Sequence, residues 1–572
     1  MRIDAGAADD LEKHGYLLTK AGSHGVCVFW DDGCAYALDD RCPHMGFPLH
    51  RGTVDHGLVT CHWHHARFAL ASGGTLDPFA DDVRAYPVEI SDRRVFVVVE
   101  PDGDRVPHLQ HRLTEGLEQG LTLIVAKAVL GLLEAGATPS DIVTTGLDFG
   151  TAYRREGWGA GLTVLTAMAN LLPHLAPDDR PLALVHGLAF VSRDTRNRPP
   201  RFPLTPLGAA TPRDRLTSWY RRSIETRSED GAERVLLTAL GDEMPPAEVG
   251  AMMLAAATDH VFLDGGHTVD FTNKAFEALD HVGWQRAPDV LPTLLFQTAR
   301  ASRAEDGGQW RHPHDLVGLL RDADDRLPAL LAAADGAEGG FNDLRGVAEW
   351  VLADDPREVV GAVTDALAAG ATLEQVGRAI ALAAALRITR FHTQNDFGDW
   401  DVVHHGFTYA NSIHAMLGRV PPSAEAARGL LHGALRVYLD RFLNVPAARL
   451  PAVPDATPDL GELQECWDSQ GRVDEAGGIA YGYLRAGGDP AHLIAALARA
   501  LLVEDAQFHW FQTVEAAIRQ FHAWPRGCEE GALILAGTAR FLAAHTPTRR
   551  ELSHVVRTAT RLRRGEELFE ES

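Results

Sequence analysis

Cysteine is scarce in this chain, with six in 572 residues. They are scattered, so they build no disulfide framework, and a reducing, cytoplasmic setting is expected. The opening "MRIDAGAADDLEKHG" is acidic and lacks the apolar segment of a secretory leader. Long hydrophobic runs are also missing: "LTLIVAKAVLGLLEAGA" carries Lys127 and is too short and interrupted to span a bilayer. Positive charge is in deficit, at a formal net of −24. That excludes nucleic acid and anionic membrane as expected partners, since both need basic patches. No dinucleotide fingerprint or P-loop is present, so any NAD(P)H would act through a separate reductase or ferredoxin. No G-x-S-x-G elbow is present either. Apolar residues at 45% and charged residues at 23% are ordinary for a globular protein. The length exceeds what one core can hold, so several domains are expected.

The stretch "CPHMGFPLHRGTVDHGLVTCHWHHARF" runs from Cys42 to Phe68 and concentrates two of the six cysteines among histidines. Cys42-x-His44 is followed, sixteen residues on, by Cys61-x-x-His64. Each loop offers one thiolate and one imidazole. That set suits a 2Fe–2S cluster with two cysteines on one iron and two histidines on the other; zinc on the same four side chains is the alternative. His50, His56, His62 and His65 fall outside the spacing, and Cys27 and Cys34 lie in strand-like segments. The flanks "GVCVFWDDGCAYALDDRC", "GLVTC" and "RRVFVVVE" read as strands. Residues 10–104, with "CPHMG", "CHWHHARFAL" and "ASGGTLDP", resemble the Rieske domain family. The resemblance implies that Cys42 and Cys61 hold one iron and His44 and His64 the other, with the imidazole edges as the electron exit. No additional cysteine pair lies in the ligand loops, so the soluble, ferredoxin-like or oxygenase-linked type is implied.

Beyond "EPDGDRVPHLQ" the alternation gives way to Ala- and Leu-rich helical periodicity. The fold expected is an all-β domain over 1–104 and a large all-α domain over 112–572. The latter contains four helical pseudo-repeats, at about 120–225, 226–345, 346–455 and 470–560. Each opens with a helix, a small-residue turn and a second helix: "AVLGLLEAGATPSDIV", "VLLTALGDEMPPAEVG", "AVTDALAAGATLEQVG", "AYGYLRAGGDPAHLIA". Glycine suits the end of the first helix and proline the start of the second. Third helices follow: "GAGLTVLTAMANLL", "HTVDFTNKAFEALD", "HHGFTYANSIHAML", "HWFQTVEAAIRQFH". This alignment sets His186-Gly187 against His432-Gly433, each with an aspartate eight residues on, Asp194 and Asp440. It also sets Asp401–His405 against Asp505–His509, with Asp264 and His267 nearby. Singly, each aspartate reads as an N-cap and each histidine as packing.

A Rieske cluster holds one electron and normally feeds a second centre. Two histidines and a carboxylate on non-haem iron leave positions open for oxygen and substrate. The candidate ligands are His186, His432, His404, His405, His267, His509, Asp440 and Glu504. The expected function is an oxidoreductase, an oxygenase acting on a small organic substrate and O2, with homo-oligomer formation compatible. The alternative is an electron carrier whose helical part is a metal-free scaffold. The Rieske ring-hydroxylating oxygenases pair the cluster with a mixed α+β catalytic domain, which this chain lacks. "FTNKAFEALDHVGW" and "FTYANSIHAMLG" are instead similar to questin oxidase-like proteins, which implies a polycyclic substrate.

Overall fold

The structure is a computed structural model that describes residues 1–22, 24–99, 105–154, 156–334, 340–452 and 458–568. Residues 101–104, at the expected domain boundary, and the expected repeat edge at 455 lie outside them. Two compact units emerge: Met1–Ile142 together with the chain from Leu552 onward, and Val143–Glu551.

Among the described residues the first unit holds ten strands: β1 (Arg2–Ala7), β2 (Tyr16–Ala21), β3 (His24–Asp31), β4 (Cys34–Asp39), β5 (Thr53–Asp55), β6 (Leu58–Thr60), β7 (Arg67–Ala69), β8 (Ala85–Tyr86), β9 (Val88–Ser91) and β10 (Arg94–Val98). They form three antiparallel sheets, ordered β1-β10-β9, β2-β3-β4-β8 and β5-β6-β7. The β3–β4 hairpin turns on Asp32 and Gly33 at φ 45° and 78°. A two-residue loop needs positive φ at both positions to match strand twist. Cys27, Phe29, Leu38, Leu49, Val59 and Phe68 form a core beneath the two cysteine loops. Cys27 is buried there, while Cys34 is exposed.

Among the described residues the last strand ends at Val98 and helices follow from Val106, but the compact unit continues. Helices Val106–Gln119 and Thr122–Glu134 pair through Leu109, Leu113 and Leu117 on one and Ile124, Val125 and Leu132 on the other, all buried. Arg112 ties the first helix to the loop after β7, donating to Asp81 (3.0 Å) and to the carbonyls of Pro78 and Ala80. The helix Glu551–Arg563 joins the same unit: Arg563 pairs with Glu134, and Arg41 donates to the Glu566 carbonyl at 2.6 Å. Long-range ion pairs of this kind carry no local sequence signal.

The second unit is helical. Its turns follow residue chemistry: Gly370 and Gly487 close first helices at φ 89° and 88°, and Pro246 and Pro490 open second ones. Thr372 and Gln375 form a capping box where no proline is present. Four helices, Ala160–Leu171, His267–Val282, Trp400–Leu417 and Phe508–His522, form a closed ring in which each touches the next. These are the four third helices of the repeat alignment. Helices Arg180–Thr195, Ala424–Leu439 and Glu529–His545 back three of them. Gly187 lets one backing helix close on the ring, since a Cβ there would sit 2.8 Å from the Leu165 Cα.

Candidate functional site

In the first unit, two similar turns carry the cysteines. The Cys42 N–H donates to the Phe47 carbonyl and the Gly46 N–H returns to the Cys42 carbonyl; Cys61, Ala66 and His65 repeat the pattern. Cys42 and Cys61 are buried and their thiols are hydrogen-bonded to each other. Backbone N–H groups of His44 and Met45 point at the Cys42 sulfur, and those of Trp63 and His64 at the Cys61 sulfur. The hydrogen bond from Cys42 is the main cause pulling the Cys61 thiol down to about 6. The same contact pushes Cys42 up. The His44 and His64 rings meet edge to face, 4.8 Å apart. The His44 Nδ1 is buried without a hydrogen-bond partner, and desolvation pulls this imidazole down to about 4. Two sulfurs supplied with N–H donors and a neutral, orphaned imidazole nitrogen are the donor set a 2Fe–2S cluster of this type needs.

The other histidines of this segment have structural work. The His50 ring bonds Asp40 at 2.6 Å, and His62 bonds Thr53 at 2.6 Å. His56 and His65 occupy turn positions with positive φ.

In the second unit, the first two turns of three ring helices bring His267, His405 and His509 together, with His404 and Asp401 beside them. Donor atoms of His267, His405 and His509 lie within 4.8 Å of one another, as do those of Asp401, His404 and His509. Ring centroids are 4.4 Å apart for His405–His509 and for His404–His509, 5.1 Å for His267–His405 and 5.5 Å for His267–His509. An imidazole bound at about 2.1 Å has its ring centre roughly 3.2 Å from the ion, which puts neighbouring rings roughly 4.5–5.3 Å apart. The His405 Nδ1 donates to the Asp401 carbonyl, so its Nε2 carries a free lone pair. The His509 Nε2 and both nitrogens of His404 are buried without partners. Desolvation holds His267 and His405 down to about 4 and His509 to about 3, so all three are neutral near pH 7.

Below these side chains the ring stays polar. Asp270 accepts from Ser412 at 2.8 Å and from Gln512, and burial pushes it up to about 7. Deeper still, Lys274 bridges Glu277 (2.7 Å) and Glu515 (2.5 Å), and Asn170 donates to both carboxylates.

Four of the eight candidate ligands, His267, His404, His405 and His509, thus share one site. The other four lie elsewhere. The His186 Nε2 donates to the Leu502 carbonyl at 2.8 Å. His432 is buried in a backing helix, its Nδ1 unpartnered. Asp440 pairs with Arg436 at 3.0 Å. Glu504 accepts from Thr548 and Arg550 at 2.6–2.7 Å. The His-Gly pairs that alignment emphasised sit on backing helices, outside the ring. Asp401, read from sequence as a cap, places its carboxylate beside His404 and His509. His545, edge to face with Trp400 and Trp510, had no repeat partner to flag it.

Residues 2–87 match the family described as Rieske [2Fe-2S] domain. The ferredoxin component of the naphthalene 1,2-dioxygenase/salicylate 5-hydroxylase systems of Ralstonia sp is 28% identical over 99 residues, 17% of this chain and 95% of that protein. The 3-phenylpropionate/cinnamic acid dioxygenase ferredoxin subunit of Photorhabdus laumondii is 33% identical over 79 residues, 14% of this chain and 75% of that one. Human apoptosis-inducing factor 3 is 27% identical over 177 residues, 30% of this chain; the match spans only 26% of the human protein. Through its N-terminal residues, the chain belongs to the Rieske 2Fe–2S domain family.

Proposed function

We propose that this protein is an oxidoreductase in which the Rieske centre supplies electrons, one at a time, to a metal held by the helical ring. Cys42 and Cys61 hold one iron of the 2Fe–2S cluster, and His44 and His64 the other. His64 is exposed, which makes it the electron exit. The second metal is held by His267, His405 and His509, with His404 and Asp401 able to complete its shell. One observation carries this reading: neutral imidazoles from three helices, far apart in sequence, converge at metal-ligand spacing. Iron is favoured over zinc because a redox-inert ion has no use for delivered electrons. The open side of the site faces half-exposed histidines, where O2 and an organic substrate can enter. The similarity of the ring helices to questin oxidase-like proteins favours a polycyclic substrate. A separate reductase or ferredoxin reduces the cluster, as the ferredoxin-component relatives suggest.

The test is metal content of the full chain with electron paramagnetic resonance. Three irons are expected, with the low average g-value of a mixed nitrogen–sulfur cluster. His405→Ala and His509→Ala should each bring the count to two and leave that signal intact. Two irons in the wild type would instead favour an electron carrier with a metal-free helical scaffold.

A further inference from the structure

Lysine is rare in this chain, four residues against fifty arginines. One of the four, Lys127, lies mid-helix in Thr122–Glu134, among the buried residues Ile124, Val125, Ala128, Val129 and Leu132. It is itself 9% exposed. Burying an ammonium in such a seam is costly unless it is fully engaged. Its Nζ donates to the carbonyls of Pro43 and His44, the latter at 2.8 Å, and stands 3.7 Å from Asp81. Desolvation pulls the ammonium's pKa down, and Asp81 and the Cys42 sulfur oppose it.

These contacts have a specific geometry. The Pro43 carbonyl and the His44 N–H belong to one peptide plane, and the His44 carbonyl and the Met45 N–H to the next. In a trans peptide the two groups point in opposite directions. Here both N–H groups point at the Cys42 sulfur while both carbonyls meet Lys127. Each peptide is therefore held at both ends, with the ammonium polarising it toward the sulfur. Linked hydrogen bonds strengthen one another in this way. The added positive potential favours the more negative, reduced form of a nearby cluster.

We propose that Lys127, a residue outside the matched domain of 2–87, sets the reduction potential of the Rieske centre by polarising the two peptides that donate to Cys42. It is a positioning residue, acting through the Pro43–Met45 backbone. The inference rests on the ligand assignment above for Cys42 and His44.

The test is a redox titration of the full-length protein, followed by electron paramagnetic resonance and visible circular dichroism. Lys127→Met should retain the cluster signal while the reduced-to-oxidised ratio at a fixed ambient potential falls about tenfold, about 59 mV for one electron. Lys127→Arg should recover most of that loss, which a packing role would not produce. Lys127→Gln keeps N–H donors without charge and should fall between Met and wild type. An unmoved potential in Lys127→Met, or an arginine variant as low as the methionine one, overturns the proposal. Failure of both neutral variants to assemble a cluster also overturns it, by making Lys127 a folding residue. A wild type without the mixed-ligand signal defeats the ligand assignment instead, so the two failures are distinguishable.

Discussion

At the scale of single residues, unpartnered polar atoms are informative. Buried nitrogen without a hydrogen bond is costly, and the orphans on His44, His404 and His509 sit where the proposed function places ligands. Asp270 shows a different use of burial. Lys274 and Glu277 on its own helix, Ser412 and Gln512 on two others surround it, and its carboxyl sits near 7. The folded protein keeps a proton that the unfolded chain releases near 3.8, so between those values the folded state binds more protons. Stability should therefore fall as pH rises from about 4 to 7, by up to about 1.4 kcal/mol per unit from this group, and then level off. Asp270→Asn should flatten that slope; urea unfolding of both proteins at pH 4.5, 6 and 7.5 measures it.

At the scale of elements, two ring helices share a cluster of buried charge. Lys274 with Glu277 and Glu515 is a fully buried triad whose net contribution to stability is small, yet removing one member strands the rest. Lys274→Met should destabilise by about 3–5 kcal/mol, read from the denaturation midpoint. The double variant Glu277→Gln with Lys274→Met should recover part of this.

Legibility differs between the two halves for a physical reason. The cysteine loops are short, and their ligands, turns and strands are neighbours in sequence, so "CPHMG" and "CHWHH" announce the first site. The helical site is assembled from residues 267, 401–405 and 509, and only the helix alignment hints that these first two turns belong together. That hint set His405 against His509, with His267 nearby. It could not separate them from His186 and His432, because a ring helix and a backing helix have similar apolar periodicity. Nor could it see the carbonyl of Asp401 fixing the His405 tautomer, since a backbone acceptor has no sequence letter.

At the scale of the whole molecule, the redox unit draws on both ends of the described chain. Arg563 with Glu134, and Arg41 with the Glu566 carbonyl, join residues more than four hundred positions apart. A Cβ on Gly46, inside the Cys42 turn, would lie 3.3 Å from Leu562. Deleting the chain from Leu552 onward should therefore expose that turn. The shortened protein is expected to lose cluster absorbance faster under air than the full chain, while retaining its helical circular dichroism.

The closing helix, Glu551–Arg563, has a consequence for biogenesis. A ribosome delivers the cysteine loops within the first hundred residues but delivers the residues that cover them only after some four hundred and fifty more. Until then the Cys42 turn lacks its neighbour Leu562. Packing of that turn is thereby deferred until the closing helix is made, which gives maturation machinery a window before it arrives.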